Sequence, residues 1–94
     1  MTNYSRGSNF ERRVMKWYEV NGFDAIRSAG SHGKVDVLAV IGGMWIANTL
    51  RLNNYWSPIE REQFEDWCKR NKCLGRYVWR DGKKIAFKEV GLVA

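Results

Sequence analysis

The segment VDVLAVIGGMWIANTLRL, residues 35–52, decides the fold of this protein. It contains two apolar runs, rich in β-branched and aromatic residues, on either side of the pair Gly42-Gly43. A glycine pair between two such runs is typical of a tight turn in a β-hairpin. A further run of this kind, residues 23–28, comes before the segment and is followed by glycine-rich punctuation at 30–33. Together the three runs predict an antiparallel meander.

Helical patterns lie on both sides of the predicted meander. Residues 8–11, Ser-Asn-Phe-Glu, have the pattern of a capping box, and apolar residues follow at helical spacing until Asn21-Gly22. Residues 57–60, Ser-Pro-Ile-Glu, repeat the pattern with proline at the first helical position. We therefore expect one helix over residues 8–20 and another from the Ser57 cap to about residue 71.

The C-terminal part predicts a second hairpin, with Asp81-Gly82 between the runs 76–80 and 83–90. The element order is then α-β-β-β-α-β-β. A helical crossover from the third strand to the fourth makes that pair parallel, so the sheet should be mixed. The expected fold is α/β, with a mixed, mainly antiparallel sheet of five strands flanked by helices.

Length and composition predict one domain over residues 1–94, in which the polar residues 1–6 can form a flexible arm. Sixteen Lys and Arg against ten Asp and Glu give a net charge of +6. Such a surface favours nucleic acid as partner, although charge alone fits a merely soluble basic protein equally well. Cys68 and Cys73 lack the second pair of Cys or His that a zinc site needs, so we expect free thiols. No segment is apolar over the length of a membrane span, and we expect a cytoplasmic protein.

Three segments in order resemble one family. They are RGSNFER at 6–12, GF-x3-RSAGS at 22–31 and VDVLAV at 35–40, and together they resemble the archaeal Holliday-junction resolvases and their phage relatives, of the PD-(D/E)xK nuclease superfamily. The resemblance covers residues 6–41 at the level of motifs. After residue 41 only the order of helices and strands matches the family. It implies a restriction-endonuclease-like fold, branched or four-way-junction DNA as substrate, and a homodimer, which also suits the two-fold symmetry of a junction.

The resemblance further implies a site in which a glutamate of the first helix, an aspartate of the second strand and an E-x-K motif of the third strand converge on Mg²⁺ or Mn²⁺. Glu11 matches the first and Asp36 the second. Hard divalent cations bind carboxylate oxygens, so both residues suit a metal. Glu11 has an alternative explanation, since it is at the third helical position, N3, of the predicted capping box. A purely structural explanation is weaker for Asp36, because aspartate is depleted from hydrophobic strands and its presence there needs a reason.

The third strand departs from the family pattern. Ungapped counting from Asp36 places Thr49-Leu50-Arg51 at E-x-K, and Thr49 and Arg51 share a face because residues i and i+2 of a strand do. Arg51 can clamp a phosphate but cannot act as a base, and Thr49 offers only a neutral oxygen. Three outcomes stay open: a site with fewer carboxylates, a fold that binds DNA without cutting it, or a ligand supplied by the second helix, from Glu60, Glu62 or Asp66.

The candidates for DNA contact are cations, small polar residues and glycine near this site. Those that match the resolvase segment are Arg27, Ser28, Gly30 and Ser31. The alternative explanation for this segment is an ordinary polar turn without DNA contact. The first helix adds Arg6, Arg12 and Arg13. His32 lies in the same loop, and a lone loop histidine is more often simply exposed. For Trp56, packing is favoured over base stacking.

The leading interpretation is a Mg²⁺-dependent, structure-selective DNA endonuclease that hydrolyses phosphodiester bonds with metal-activated water. Its catalytic candidates are Glu11, Asp36, Thr49 and Arg51. The alternative is a catalytically degenerate DNA-binding module on the same fold. A basic RNA-binding or interaction protein is the more remote interpretation.

Overall fold

In the computed structural model, residues 3–28 and 34–90 are described. Two helices and five strands follow one another in the predicted order. They are α1 (Asn3–Val20), β1 (Asp24–Arg27), β2 (Val37–Ile41), β3 (Met44–Arg51), α2 (Pro58–Arg70), β4 (Leu74–Asp81) and β5 (Lys84–Glu89).

The five strands form one sheet in the order β1-β2-β3-β4-β5. Three neighbouring pairs are antiparallel, and β3 and β4 are parallel because α2 carries the chain back across the sheet. Val37 pairs with Asn48 and Ile41 with Met44, so Gly42-Gly43 form the turn, both at positive φ. The predicted α/β fold with a mixed, mainly antiparallel sheet is confirmed.

The two helices pack on opposite faces of the sheet, as the alternation of side chains along β3 shows. Ile46 and Leu50 belong to the core that α1 covers, together with Phe10 and Val14. Ala47, on the other face, belongs to the core beneath α2. Because the side-chain period of a strand is two, Thr49 and Arg51 lie on the α2 face as well.

The first helix starts earlier than the sequence pattern indicates. It begins at Asn3, so it includes four of the six residues expected to form an arm, and Ser8 lies inside it. The predicted Ser8 cap is therefore wrong, and Glu11 is not a capping residue. No proline separates residues 3–7 from the amphipathic segment, and extending an existing helix fixes little more chain for each hydrogen bond gained.

The second helix begins as predicted. Ser57 is the N-cap, its hydroxyl accepts from the Glu60 N–H at 3.1 Å, and the Glu60 carboxylate accepts from the Ser57 N–H at 3.1 Å. This reciprocal pair is the capping box, with Pro58 at the start of the helix. Phe64 and Cys68 are its buried residues.

A buried polar group ties α1 to the middle of the sheet. The Tyr18 hydroxyl donates to Asn48 Oδ1 at 2.6 Å, and Asn48 Nδ2 donates to the Val37 and Ile46 carbonyls. Arg76 donates to the Tyr18 hydroxyl from β4 at 3.2 Å. Because these polar atoms are paired, the interior tolerates them, and they fix the position of α1 over β2 and β3. Over residues 3–28 and 34–90, neither helix has the length and hydropathy to cross a membrane.

Candidate active site

Asp36 lies immediately before β2 and is hydrogen-bonded to neighbouring strands through both its backbone and its side chain. Its N–H donates to the Asn48 carbonyl at 2.8 Å, and its carbonyl accepts from the Ser28 N–H at 2.9 Å. The carboxylate oxygen Oδ2 accepts the Leu50 N–H at 2.7 Å. The Asp36 side chain thus takes the place of a backbone acceptor for a residue near the end of β3. This hydrogen bond to the backbone fixes the position of the carboxylate.

Burial raises the pKa of Asp36, while the hydrogen bond from Leu50 and the charge of Arg51 lower it in part. Asp36 is therefore a desolvated carboxylate with cationic charge nearby. Groups of this kind are common at functional sites, although structural networks produce them too.

Glu11 lies on α1 and is held by Arg27 of β1. Arg27 Nε is 3.1 Å from Glu11 Oε1, and the same guanidinium donates to the Ser8 hydroxyl at 3.3 Å. Ser8 and Glu11 are three residues apart and so lie on one side of α1. The pKa of Glu11 is raised by burial and by the charge of Asp36, and is lowered in part by Arg27 and Arg12. Arg27 contacts Glu11, and the next residue, Ser28, is hydrogen-bonded to the Asp36 carbonyl. The fold therefore brings Glu11 and Asp36 to the same end of β1, in agreement with the effect of Asp36 on the pKa of Glu11.

Thr49 is in the interior, only 4% exposed. Its hydroxyl accepts a hydrogen bond from the indole N–H of Trp56 at 3.1 Å. Trp56 is 6% exposed and packs edge-on against Tyr77, which agrees with the expectation that it packs. At the position where the family pattern has glutamate, the side chain here therefore anchors an aromatic ring.

Arg51, at the end of β3, is held by several neighbours. Nη1 donates to the Leu50 carbonyl at 2.9 Å, and Nη2 forms an ion pair with Glu60 Oε2. The guanidinium carbon lies 5.8 Å from the centre of the Trp56 ring. The pKa of Glu60 is lowered, first by the hydrogen bond from the Ser57 N–H and then by Arg51. Glu60 thus reaches the edge of the site as the counterion of Arg51.

A cleft of about 430 Å³ opens between α1 and the end of β3. Its volume is in the range of small-molecule sites. Glu11 from one side and Arg51 from the other are the charged residues of its lining. Among the described residues, the lining is formed by Gly7, Phe10, Glu11, Leu50, Arg51, Leu52 and Asn53.

The predicted DNA-contacting residues are not all in one place. Arg12 is exposed on α1, close enough to lower the pKa of Glu11, and Ser28 is exposed at the end of β1. Arg13 instead donates to the Lys83 carbonyl at 2.9 Å, in the turn between β4 and β5 at the opposite edge of the sheet from β1. Arg6 is within α1, and its side chain is not among those described. Gly30, Ser31 and His32 lie outside the described residues.

The helix-two carboxylates are not part of the Glu11–Asp36 pair. Within residues 3–28 and 34–90, no three Asp, Glu, His or Cys side chains are grouped closely enough to hold a metal ion. Glu60 pairs with Arg51, Glu62 is exposed, and Asp66 pairs with Arg70 one turn along the helix. In this structure the pair therefore has no third acidic neighbour in the described chain.

Three partners of the site were missed by sequence reasoning. Ser8 was interpreted as a cap and instead receives a hydrogen bond from Arg27; Trp56 binds Thr49; and the Leu50 N–H binds Asp36. These contacts join residues 7–19 positions apart in the chain, across elements. No local sequence pattern predicts these hydrogen bonds, because each depends on how the elements are packed.

Comparison with known proteins shows the family and the fold of the chain. A sequence model of the archaeal Holliday junction resolvase (Hjc) family matches residues 2–72. The fold is similar to the 1.6 Å structure of Archaeoglobus fulgidus Hjc, a Holliday junction resolvase from an archaeal hyperthermophile, with a TM-score of 0.77 at 22% sequence identity. That similarity covers 89% of this chain and 72% of the archaeal one.

Proposed function

Because the chain belongs to the archaeal Holliday junction resolvase family, we propose that it is a structure-selective DNA endonuclease that acts on four-way junctions. The observation that carries the proposal is the partly buried pair Glu11 and Asp36, flanked by the guanidinium groups of Arg27 and Arg51. Carboxylates that repel one another suit a cation, and the arginines beside them suit a phosphate.

The two carboxylates fit a hard divalent cation, Mg²⁺ or Mn²⁺. Asp36 raises the pKa of Glu11, and a cation between them would relieve that repulsion. One Asp36 oxygen is used by the Leu50 N–H, so each residue can offer an oxygen while Asp36 stays fixed. A bound ion would lower the pKa of a coordinated water and offset negative charge on the scissile phosphate. With two protein carboxylates rather than three, water must fill more of the coordination sphere, and we expect weak binding.

The cations of the site would bind and orient the DNA backbone. Arg51 borders the cleft, and its planar guanidinium can hold two phosphate oxygens at once. It cannot accept a proton at neutral pH, so its role is charge and orientation. Arg27 and Arg12 add positive charge next to Glu11. Thr49, whose hydroxyl is engaged by Trp56, would act by supporting the site rather than by binding the ion.

A second candidate function is favoured by one observation. The residue at the glutamate position is Thr49, and no other acidic residue of the described chain replaces it. A nuclease fold with an incomplete ligand set could bind junctions without cutting them. We therefore keep a catalytically degenerate DNA-binding module as the alternative. In both cases we expect a homodimer, because a two-fold junction presents two equivalent sites.

The deciding experiment is incubation of an end-labelled four-way junction with protein and Mg²⁺ or Mn²⁺, with EDTA as control. Asp36→Asn and a linear duplex of the same sequence complete the design. The endonuclease proposal predicts metal-dependent, junction-selective products that Asp36→Asn abolishes while junction binding persists. Tight junction binding with no product at any metal concentration would establish the binding module instead. Equal affinity for junction and duplex would contradict structure selectivity.

A further inference from the structure

The guanidinium of Arg51 is fixed from three directions. The Leu50 carbonyl accepts from Nη1, Glu60 pairs with Nη2, and the Trp56 ring lies 5.8 Å from the guanidinium carbon. An arginine side chain has four rotatable bonds and loses about 2 kcal/mol of rotamer free energy when it is held in one place. The Arg51 side chain is 37% exposed, and a single ion pair at such a site contributes less than that cost, so the contacts must act together.

Glu60 can hold Arg51 because it is itself fixed. One carboxylate oxygen accepts from the Ser57 N–H and the other pairs with Arg51, while the Glu60 N–H donates to the Ser57 hydroxyl. The capping box thus determines where the carboxylate is, and the carboxylate determines where the guanidinium is. Trp56 is fixed in turn by its hydrogen bond to Thr49.

Arg51 is thereby held close to Asp36. The Asp36 carboxylate accepts the N–H of Leu50, the residue directly before Arg51. The Arg51 charge reaches Asp36 and lowers its pKa. Arg51 also borders the cleft that Glu11 lines from the other side.

We propose that Glu60 is a positioning residue, which holds the Arg51 guanidinium beside Asp36 in the orientation that meets the scissile phosphate. The inference rests on the proposed function for its catalytic meaning, but the positioning itself can be measured without DNA. The described contacts of Glu60 are with Ser57 and Arg51 and not with the carboxylate pair, so it would act through Arg51. A positioning role for Glu60 differs from the role of a metal ligand supplied by α2.

Glu60→Gln is the informative variant, since glutamine can still accept from the Ser57 N–H and keep the capping box, whereas its neutral side chain loses the ion pair. Glu62→Gln is the matched control: it makes the same change of charge two residues along α2, at an exposed site without an ion pair in the described chain. Any general effect of one lost negative charge on DNA affinity appears in both variants.

The first measurement is arginine side-chain NMR on the DNA-free protein, which follows the Nε–H signal and rotation about the Cζ–Nε bond. In wild type and in Glu62→Gln we expect Arg51 to rotate slowly compared with the exposed Arg80 of the same molecule. In Glu60→Gln it should rotate like Arg80. An Arg51 that already moves like Arg80 in wild type, a comparison that needs no variant, would overturn the proposal.

The second measurement is single-turnover junction cleavage at saturating protein. Glu60→Gln should cut about tenfold more slowly than Glu62→Gln, with similar junction affinity, because a misplaced group lowers the rate of the chemical step. In an Arg51→Gln background, Glu60→Gln should cause no further loss, since the two residues act as a unit. Equal rates for the two single variants, or additive losses in the double variant, would refute the positioning role. If wild type does not cleave, the proposed function fails, and the NMR comparison still decides whether Glu60 holds Arg51.

Discussion

Replacing Asp36 separates its contribution to the fold from its contribution to chemistry. The carboxylate accepts the Leu50 N–H at 2.7 Å, and an asparagine can accept the same bond through Oδ1 whereas alanine cannot. Alanine would leave a backbone N–H at a partly buried site without its acceptor. An unsatisfied buried donor costs about 1–3 kcal/mol.

For a domain of this size, about 1 kcal/mol shifts the melting temperature by about 4–8 °C. We therefore expect Asp36→Ala to melt about 5–20 °C below Asp36→Asn at neutral pH. The wild-type carboxylate has a raised pKa because of burial, so its ionisation opposes folding. The stabilisation of the protonated form is fully present below the ordinary aspartate pKa and is lost as pH rises through the raised pKa. Asp36→Asn lacks this loss and should be at least as stable as wild type at neutral pH.

The assay is thermal unfolding of the three proteins across pH, together with junction binding and cleavage. Both variants should fail to cleave, and Asp36→Asn should bind junctions as tightly as wild type or more tightly, since a negative charge near phosphate is gone. Equal melting temperatures for Asp36→Asn and Asp36→Ala would refute the structural bond to Leu50. Cleavage by Asp36→Asn at the wild-type rate would refute the chemical role.

Further predictions concern other contacts of the described chain. Arg27→Gln should raise the affinity of the DNA-free protein for Mn²⁺, as measured by calorimetry. The reason is that the guanidinium, 3.1 Å from Glu11, competes with a cation for that carboxylate. An unchanged affinity would mean that Glu11 is not a ligand. Gly75→Ala should destabilise the protein by about 1–3 kcal/mol in denaturant unfolding, since an added Cβ would lie 2.8 Å from the Cys68 sulfur, and Cys68→Ala should relieve part of that loss. At pH 8, Cys73 should react with a thiol reagent well before Cys68, whose pKa burial raises to about 11; equal rates would contradict the packing of α2.

The elements of the fold were predictable from local patterns. Gly42-Gly43 between two apolar runs predicts the β2–β3 hairpin, and the Ser57–Glu60 box predicts the start of α2, because turn and cap chemistry act within four residues. The start of α1 was not predictable in this way. The Ser8–Glu11 pattern fits a cap and also fits a helix interior, and only the extent of the helix distinguishes the two.

The sequence by itself determined the element order, the crossover and the family, since turn residues, caps and ordered motifs specify them without any distance. It also marked Glu11 and Asp36 as the residues of interest. Tertiary structure alone decided the partners: Arg27 on Glu11, the Leu50 N–H on Asp36, and Glu60 on Arg51. The physical reason is that each of these contacts joins different elements. Hydrogen bonds and ion pairs need atoms within about 3–4 Å, and such distances exist only once both helices are packed on the sheet.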